Sequence, residues 1–395
     1  MSGKREVVVV SGARAPIGSF GGTLKDFSTS RLGALVVKDA IVRAKLDPAQ
    51  VNQLVCGNVI HGEARDMYVS RGIAIDAGMA HDSCALTLNR LCGSGLQAIV
   101  TAANAIQLGE ADVAVGCGVE VMSRAGYLMP AARFGARMGD TKMIDMMVGA
   151  LTDPFSPNHM GITAENIAEK FRISREDQDA FALESQKRAV AAIAAGHFKS
   201  QITPIAIESR KGTVMFDTDE YPKADASMES LAKLKPAFKK EGTVTAGNAS
   251  GINDGAAAVV LMEAAAAARA GLKPLARLVS YAVAGVDPSL MGTGPIPAVK
   301  LALQRAGLSL KDIDVIESNE AFAVQALCVS RELGFDPAKV NPNGGAVALG
   351  HPLAATGSIL TVKCLYELER TGKRYGLVTM CIGGGQGIAG IFERG

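Results

Sequence analysis

Four short segments of the 395-residue chain hold the side chains best suited to nucleophilic and acid–base chemistry. Cys92 stands in Asn89-Arg90-Leu91-Cys92-Gly93-Ser94-Gly95, directly ahead of an amphipathic helical run. A thiol at a helix N-terminus feels the positive end of the dipole, which favours thiolate, and a flanking glycine lets substrate approach the backbone. Most cysteines are inert small hydrophobes, so the glycine-flanked helix start is what singles this one out. His351 lies in Leu349-Gly350-His351-Pro352. A neutral imidazole there can accept a thiol proton or donate to a developing oxyanion. Cys381 precedes Ile382-Gly383-Gly384-Gly385-Gln386-Gly387, and a thiol in that place can serve as acid or base. The glycine run leads into an apolar strand rather than a helix, the wrong context for a dinucleotide fingerprint. It reads better as a tight turn whose N–H groups bind an oxyanion. Asn319, in Asn319-Glu320-Ala321-Phe322, is either a helix N-cap or the holder of a water or carbonyl oxygen. Gly247 to Gly255, with Ser250 inside it, is a turn cluster that fits a structural turn or a ligand-contact loop. His61, His81 and His197 have no such context and read as bystanders.

The elements that must position these residues alternate between short β-rich runs and longer Ala- and Leu-rich helical stretches, an α/β layered pattern. Strands are expected at Glu6–Val10, Gln53–Val55, Val113–Val115, Ala257–Leu261, Val315–Glu317, Leu377–Met380 and Ile388–Phe392. Helices are expected at Ser30–Ala44, Ser94–Gln107, Ala164–Phe171, Arg175–Ala195, Pro297–Ala306, Ala323–Leu333 and Ala355–Arg370.

The order of these elements repeats. Leu54 to Asn58 is an apolar run ending in asparagine, the Cys92 loop opens a helix, and Val113 to Gly118 is a strand containing Cys117. Later, Val315 to Asn319, the His351 loop with its helix, and Leu377 to Gly383 follow the same plan. Asn58 precedes Cys117 by 59 residues and Asn319 precedes Cys381 by 62, which reads as an internal duplication. On that reading the Cys92 and His351 loops are equivalent and face each other across a pseudo-twofold axis. Residues 122–250 have no counterpart and form an inserted segment, suited to a substrate lid or an oligomer contact. The expected division is 1–121 with 251–271 as one half, 122–250 as the insertion, and 272–395 as the other half.

Composition narrows the class. The apolar fraction of 48% and charged fraction of 20% are those of an ordinary globular chain. A net charge of +2 gives no basis for nucleic acid or an anionic membrane as partner. The seven cysteines are odd in number and never spaced as CxxC, so they are expected to be reduced thiols, not disulfides or metal ligands. The apolar run Val7 to Val10 is too short for a signal segment, and no window reaches the roughly 18 apolar residues of a membrane span. A cytoplasmic protein is expected.

The motif blocks, Asn-Arg-Leu-Cys-Gly-Ser-Gly-Leu-Gln-Ala, Asn-Glu-Ala-Phe-Ala, Asn-Gly-Gly with Gly-His-Pro, and Cys-Ile-Gly-Gly-Gly-Gln-Gly, resemble the signatures of the thiolases, in that family's order. The resemblance implies two similar α/β halves in a five-layer αβαβα sandwich with an inserted loop domain. It implies Cys92 as the nucleophile that carries the acyl group and His351 as its activator. With a water held by Asn319, His351 would also form one oxyanion hole. Cys381 would be the acid/base for the α-proton of the second substrate, and the N–H groups of Cys92 and Gly383 would form the other oxyanion hole. Ser250 would touch the pantetheine arm of coenzyme A, and His159, Met160, Phe322 and Met291 would line the substrate site. His159-Met160-Gly161 resembles the homotetrameric biosynthetic branch, acetyl-CoA acetyltransferases and β-ketothiolases. Acetyl-CoA and 3-ketoacyl-CoA would be substrates, with no resident cofactor and no metal. Ala354, Cys117 and Gly126 depart from residues common in the family, bearing on pocket detail, not on the reaction. Against a decarboxylating ketoacyl synthase stands the second motif cysteine; against a non-catalytic scaffold stands the joint presence of Cys92, Asn319, His351 and Cys381.

Overall fold

The computed structural model describes residues 5–210 and 212–395. One ten-stranded sheet runs through it, built mainly from β1 (Val7–Arg14), β2 (Gln53–Gly57), β3 (Cys84–Leu88), β4 (Val113–Val121), β5 (Asn253–Glu263), β6 (Ala276–Gly285), β7 (Val315–Ser318), β8 (Tyr375–Ile382) and β9 (Gln386–Glu393). Their spatial order is β7-β8-β9-β6-β1-β5-β4-β2-β3. The seam at its middle is short, with Val8 opposite Arg277 and Val9 opposite Ala276. On either side of it the pairing pattern is the same. β2 runs parallel to β4, which is antiparallel to β5, which is antiparallel to β1. Likewise β7 runs parallel to β8, which is antiparallel to β9, which is antiparallel to β6. The duplication is therefore present in the topology.

Both faces of these strands are apolar because helices cover both. Along β1, Val7 and Val9 point into one hydrophobic cluster while Val8 and Val10 point into another. The first cluster fills the middle layer, around α2 (Ser94–Leu108) and α7 (Leu353–Thr371). The second lies under α1 (Thr29–Arg43), and a third packs the far side of the second half under α5 (Pro295–Ala306) and α6 (Ala323–Leu333). Helix, sheet, helix pair, sheet, helix is the expected five-layer sandwich.

The two central helices touch at their first turns. A Cβ on Gly95 would sit 2.6 Å from the Ala354 carbonyl oxygen and from Ser358 N, and one on Gly357 would sit 2.3 Å from Leu96 N. Glycine at both places lets the backbones meet, and this contact brings the Cys92 loop against the His351 loop. The register corrects one detail of the repeat. Gly57 pairs with Gly118 and Ser318 with Thr379, so two residues further on Glu120 corresponds to Cys381. Cys117 lies three residues earlier, beside Cys56 in the outer core. Glu120 follows Asn58 by 62 residues, the same interval that separates Asn319 from Cys381.

Between β4 and β5 the chain forms α3 (Met160–Phe171), α4 (Arg175–Ala194) and a hairpin of Ile205–Ser209 with Gly212–Phe216. This excursion is fastened to β1 by a buried bidentate pair, Arg14 Nη1 and Nη2 donating to the Asp219 carboxylate at 2.7 and 2.8 Å. Removing either partner would leave an unpaired buried charge, so the pair fixes where the excursion docks. Among the described residues no helix is long and apolar enough to cross a membrane, and no group of His, Cys, Asp and Glu could hold a metal ion.

Candidate active site

The Cys92 loop is a turn tied by its own side chains. Asn89 Oδ1 accepts from Leu91 N at 2.8 Å; Ser94 Oγ accepts from Arg90 N at 2.8 Å and donates to the Leu91 carbonyl at 2.7 Å. Leu91 is held in the left-handed region at φ +48°, a strained setting for a leucine immediately before the cysteine. Burial pushes the Cys92 thiol up to about 11, with the backbone N–H groups of Gly383 and Cys92 opposing the rise and Glu120 adding to it. Burial thus acts against the thiolate that the helix start favours.

His351 is buried at the start of α7. Its Nδ1 lies 2.6 Å from Thr356 Oγ1, its backbone N–H donates to Asn253 Oδ1 at 3.1 Å, and its Nε2 lies 3.4 Å from Asn319 Nδ2. Burial lowers its pKa to about 4, so the ring is neutral at pH 7. Thr356 Oγ1 donates to the Pro352 carbonyl at 3.4 Å, which leaves it free to accept Nδ1–H and leaves the Nε2 lone pair on the Asn319 side.

Asn319 stands behind His351, with Oδ1 buried and unpartnered in the protein, a place suited to a water. Cys381 is buried and its pKa is raised, first by burial and then by the neighbouring Cys92 thiol. Cys92, His351, Cys381 and Gly383 line one cavity whose other walls are mostly apolar. Met160, Met291 and Phe322 line it too, together with Leu151 and the half-buried Ser250 and His159. All the expected site residues except Asn319 thus share one lining, and Asn319 reaches it through His351.

His159 caps α3, its Nδ1 accepting from Gly161 N at 3.0 Å, and its ring stacks on Phe238 at 4.7 Å. Phe238 in turn meets Phe322 edge-on at 6.1 Å, forming an aromatic wall. Ser250 N donates to the Ala321 carbonyl at 3.0 Å, which joins the Gly247–Gly255 cluster to the Asn319 segment. Sequence reasoning missed Thr356, Asn253 and Phe238. Thr356, five residues beyond His351 in the first turns of its helix, was the one with a local signal. Of the three departures, Ala354 packs at the contact of the two central helices and Cys117 lies in the outer core. Gly126 faces open space, and none of the three lines the cavity.

A half-buried thiol, an imidazole and a second, buried thiol lining one cavity fit a cysteine acyltransferase on a duplicated α/β fold. Comparison with known proteins agrees. Residues 7–265 match the family model for the thiolase N-terminal domain and residues 272–394 that for the thiolase C-terminal domain. The chain is 63% identical over 391 residues to Beta-ketothiolase BktB of Cupriavidus necator, covering 99% of each. It is 52% identical over 387 residues to an acetyl-CoA acetyltransferase of Pseudomonas aeruginosa, covering 98% of each. Human mitochondrial 3-ketoacyl-CoA thiolase, solved in complex with CoA, superposes with a TM-score of 0.96 at 46% identity, over 99% of this chain and 98% of that one. The chain belongs to the thiolase family and is an acyltransferase.

Proposed function

We propose that this thiolase is a short-chain β-ketothiolase, an acetyl-CoA C-acetyltransferase that makes and cleaves 3-ketoacyl-CoA by a ping-pong route. The observation that carries the reading is that Cys92, His351, Cys381 and Gly383 line one cavity. In the first half-reaction His351 Nε2 takes the Cys92 proton and the sulfur attacks the acyl-CoA carbonyl. The C–S bond to CoA breaks, His351 passes the proton it took to the departing CoA thiolate, and the acyl group remains on Cys92. In the second, His351 Nε2 takes the Cys381 proton and the resulting thiolate removes an α-proton from acetyl-CoA. The enolate oxygen is held by the His351 Nε2–H and a water on Asn319. Its carbon attacks the acyl carbonyl on Cys92, whose oxyanion is held by the Cys92 and Gly383 N–H groups. Collapse breaks the C–S bond and releases the Cys92 thiolate, which takes the proton back from His351.

Coenzyme A fits the surroundings. A groove lined by Tyr221, Lys223, Ser230, Ala246 and Gly247 opens three residues along the chain from Ser250, and Lys223 suits a phosphate. The narrow apolar lining around Met160, Met291 and Phe322 suits a short acyl chain. No resident cofactor or metal is needed for these steps. Both thiols must stay reduced, which fits the cytoplasm.

A homo-oligomer, a tetramer as a dimer of dimers, suits two exposed features. Phe134 and Met138 in the excursion are 87% and 98% exposed, and Leu86 stands open on the edge strand β3. Such apolar residues on a surface and at an unpaired edge call for a partner.

The direct test is thiolysis of acetoacetyl-CoA against 3-ketohexanoyl-CoA with free CoA present, following loss of the ketoacyl enolate absorbance. Turnover of both, with the shorter preferred, is expected. A preference for the longer would move the reading to a thiolase of wider chain length. No turnover of either, with Cys92 titratable, would overturn it.

A further inference from the structure

Glu120 is fully buried on β4, has no ion-pair partner among the described residues, and takes no part in the steps above. Its carboxylate accepts four N–H bonds. Oε1 takes Asn58 Nδ2 at 2.9 Å and Ile60 N at 3.0 Å; Oε2 takes Val59 N and Ala354 N, both at 3.1 Å. Ala354 lies three residues after His351 and carries one of the unpaired N–H groups of the first turn of α7. Glu120 is also close enough to Cys92 to act on its charge.

The sheet register gives this arrangement a meaning. The register relates Asn58 to Asn319 and Glu120 to Cys381, and the loops that lead into the two central helices relate Cys92 to His351. Glu120 faces a glycine across the antiparallel pair, Gly255, as Cys381 faces Gly387. The catalytic set of Cys92, His351, Asn319 and Cys381 therefore has an image made of His351, Cys92, Asn58 and Glu120. In the image, the place of the acid/base thiol holds an acceptor-only group that binds backbone. We infer that Glu120 is a positioning residue which, from the pseudo-twofold place of Cys381, clamps the start of α7 and so fixes His351 against Cys92. The inference rests on the role given to His351 above.

A carboxylate without a cation is costly to bury, and burial raises the pKa of Glu120 while the N–H groups of Ile60, Ala354 and Val59 oppose the rise; with only donors around both oxygens, the geometry holds the charged form. Four backbone and amide donors offset that cost only while all of them converge on it. Leucine or glutamine would fill the volume, but glutamine would turn an NH2 group toward two N–H donors.

The test compares Glu120→Gln, Glu120→Asp and His351→Ala with wild type, with rates expressed per titratable Cys92. Because His351 serves both half-reactions, Glu120→Gln should slow acyl-enzyme formation and steady-state thiolysis alike. The expected loss is about tenfold or more in kcat, with KM for the ketoacyl-CoA within about threefold. Glu120→Asp keeps the charge with a shorter reach and should recover part of that loss. A merely structural role predicts less folded protein but wild-type kcat per titrated site, and that outcome overturns the inference. If Glu120→Gln does not fold, Glu120→Asp decides: a reduced kcat at unchanged KM supports the clamp, and a wild-type kcat refutes it. Slow turnover in His351→Ala with wild-type rates in the Glu120 variants would sink the clamp and leave the proposed function standing. Fast turnover in His351→Ala would sink the functional reading instead.

Discussion

Replacing Cys381 with alanine should divide the reaction in two. The substitution removes one sulfur from a packed cluster that includes Met160, Met291 and Phe322. A loss of that size in a core costs about 1 kcal/mol, small beside the roughly 5–15 kcal/mol that holds a typical domain together. The folded population is therefore unchanged and any rate loss is chemical. Positioned acid–base catalysis is worth about 10²–10⁴ in rate, or about 2.7–5.5 kcal/mol of barrier. That factor should fall on the second half-reaction, where the α-proton moves. Acyl transfer from acetyl-CoA to Cys92 needs His351 and the Gly383 N–H, which the substitution does not touch, and should persist. Intact-mass measurement would show the acetyl adduct, and deuterium uptake into the methyl group of acetyl-CoA in heavy water would report α-proton removal. Cys381→Ser should restore volume without restoring exchange, since a hydroxyl is far harder to ionise than a thiol. Condensation by Cys381→Ala within about threefold of wild type would refute the acid/base role.

Three further outcomes are expected. His351 is held at about 4 by burial against an ordinary value of 6.5, so between these values the unfolded chain binds a proton that the folded chain does not. Stability from this group therefore falls as pH drops, and from pH 7 to 4 wild type should lose roughly 3 kcal/mol more than His351→Gln, read from urea midpoints. Met291 is buried in the cavity lining, and Met291→Ala should open room for the two extra methylenes of 3-ketohexanoyl-CoA. At about 0.8 kcal/mol each, the kcat/KM ratio of that substrate over acetoacetyl-CoA should rise about tenfold; an unchanged ratio would place the limit elsewhere. Leu91→Gly should be about 1 kcal/mol more stable than Leu91→Ala, because only the glycine relieves the positive φ at that position. Equal thermal midpoints for the two would show that the loop holds no such strain.

The sequence made the layers readable where both faces of a strand are apolar. Val7 to Val10 is an unbroken apolar run and Leu377 to Met380 is interrupted only by Thr379, and they fall in β1 and β8. Strand ends such as Ser11–Arg14, Val119–Val121 and Asn253–Ala256 were not readable, since these stretches are extended through pairing with their neighbours. β6 was missed altogether because a bulge between Leu278 and Ser280 breaks its period of two, and the edge strand β3 because its faces are only half covered. The residues that can do chemistry stood out by type and by glycine context. Those that hold them, Thr356, Asn253, Phe238 and Glu120, did not, because each acts through a contact made only after folding.

The same division explains the thiol. A helix start is a local property and can be seen at Ser94 in the sequence. Desolvation is a property of the packed whole and opposes the helix end at Cys92. On the proposed route the thiol is therefore activated by its partners in the site: its proton passes to His351 as the sulfur attacks, and the developing oxyanion is taken by the Cys92 and Gly383 N–H groups.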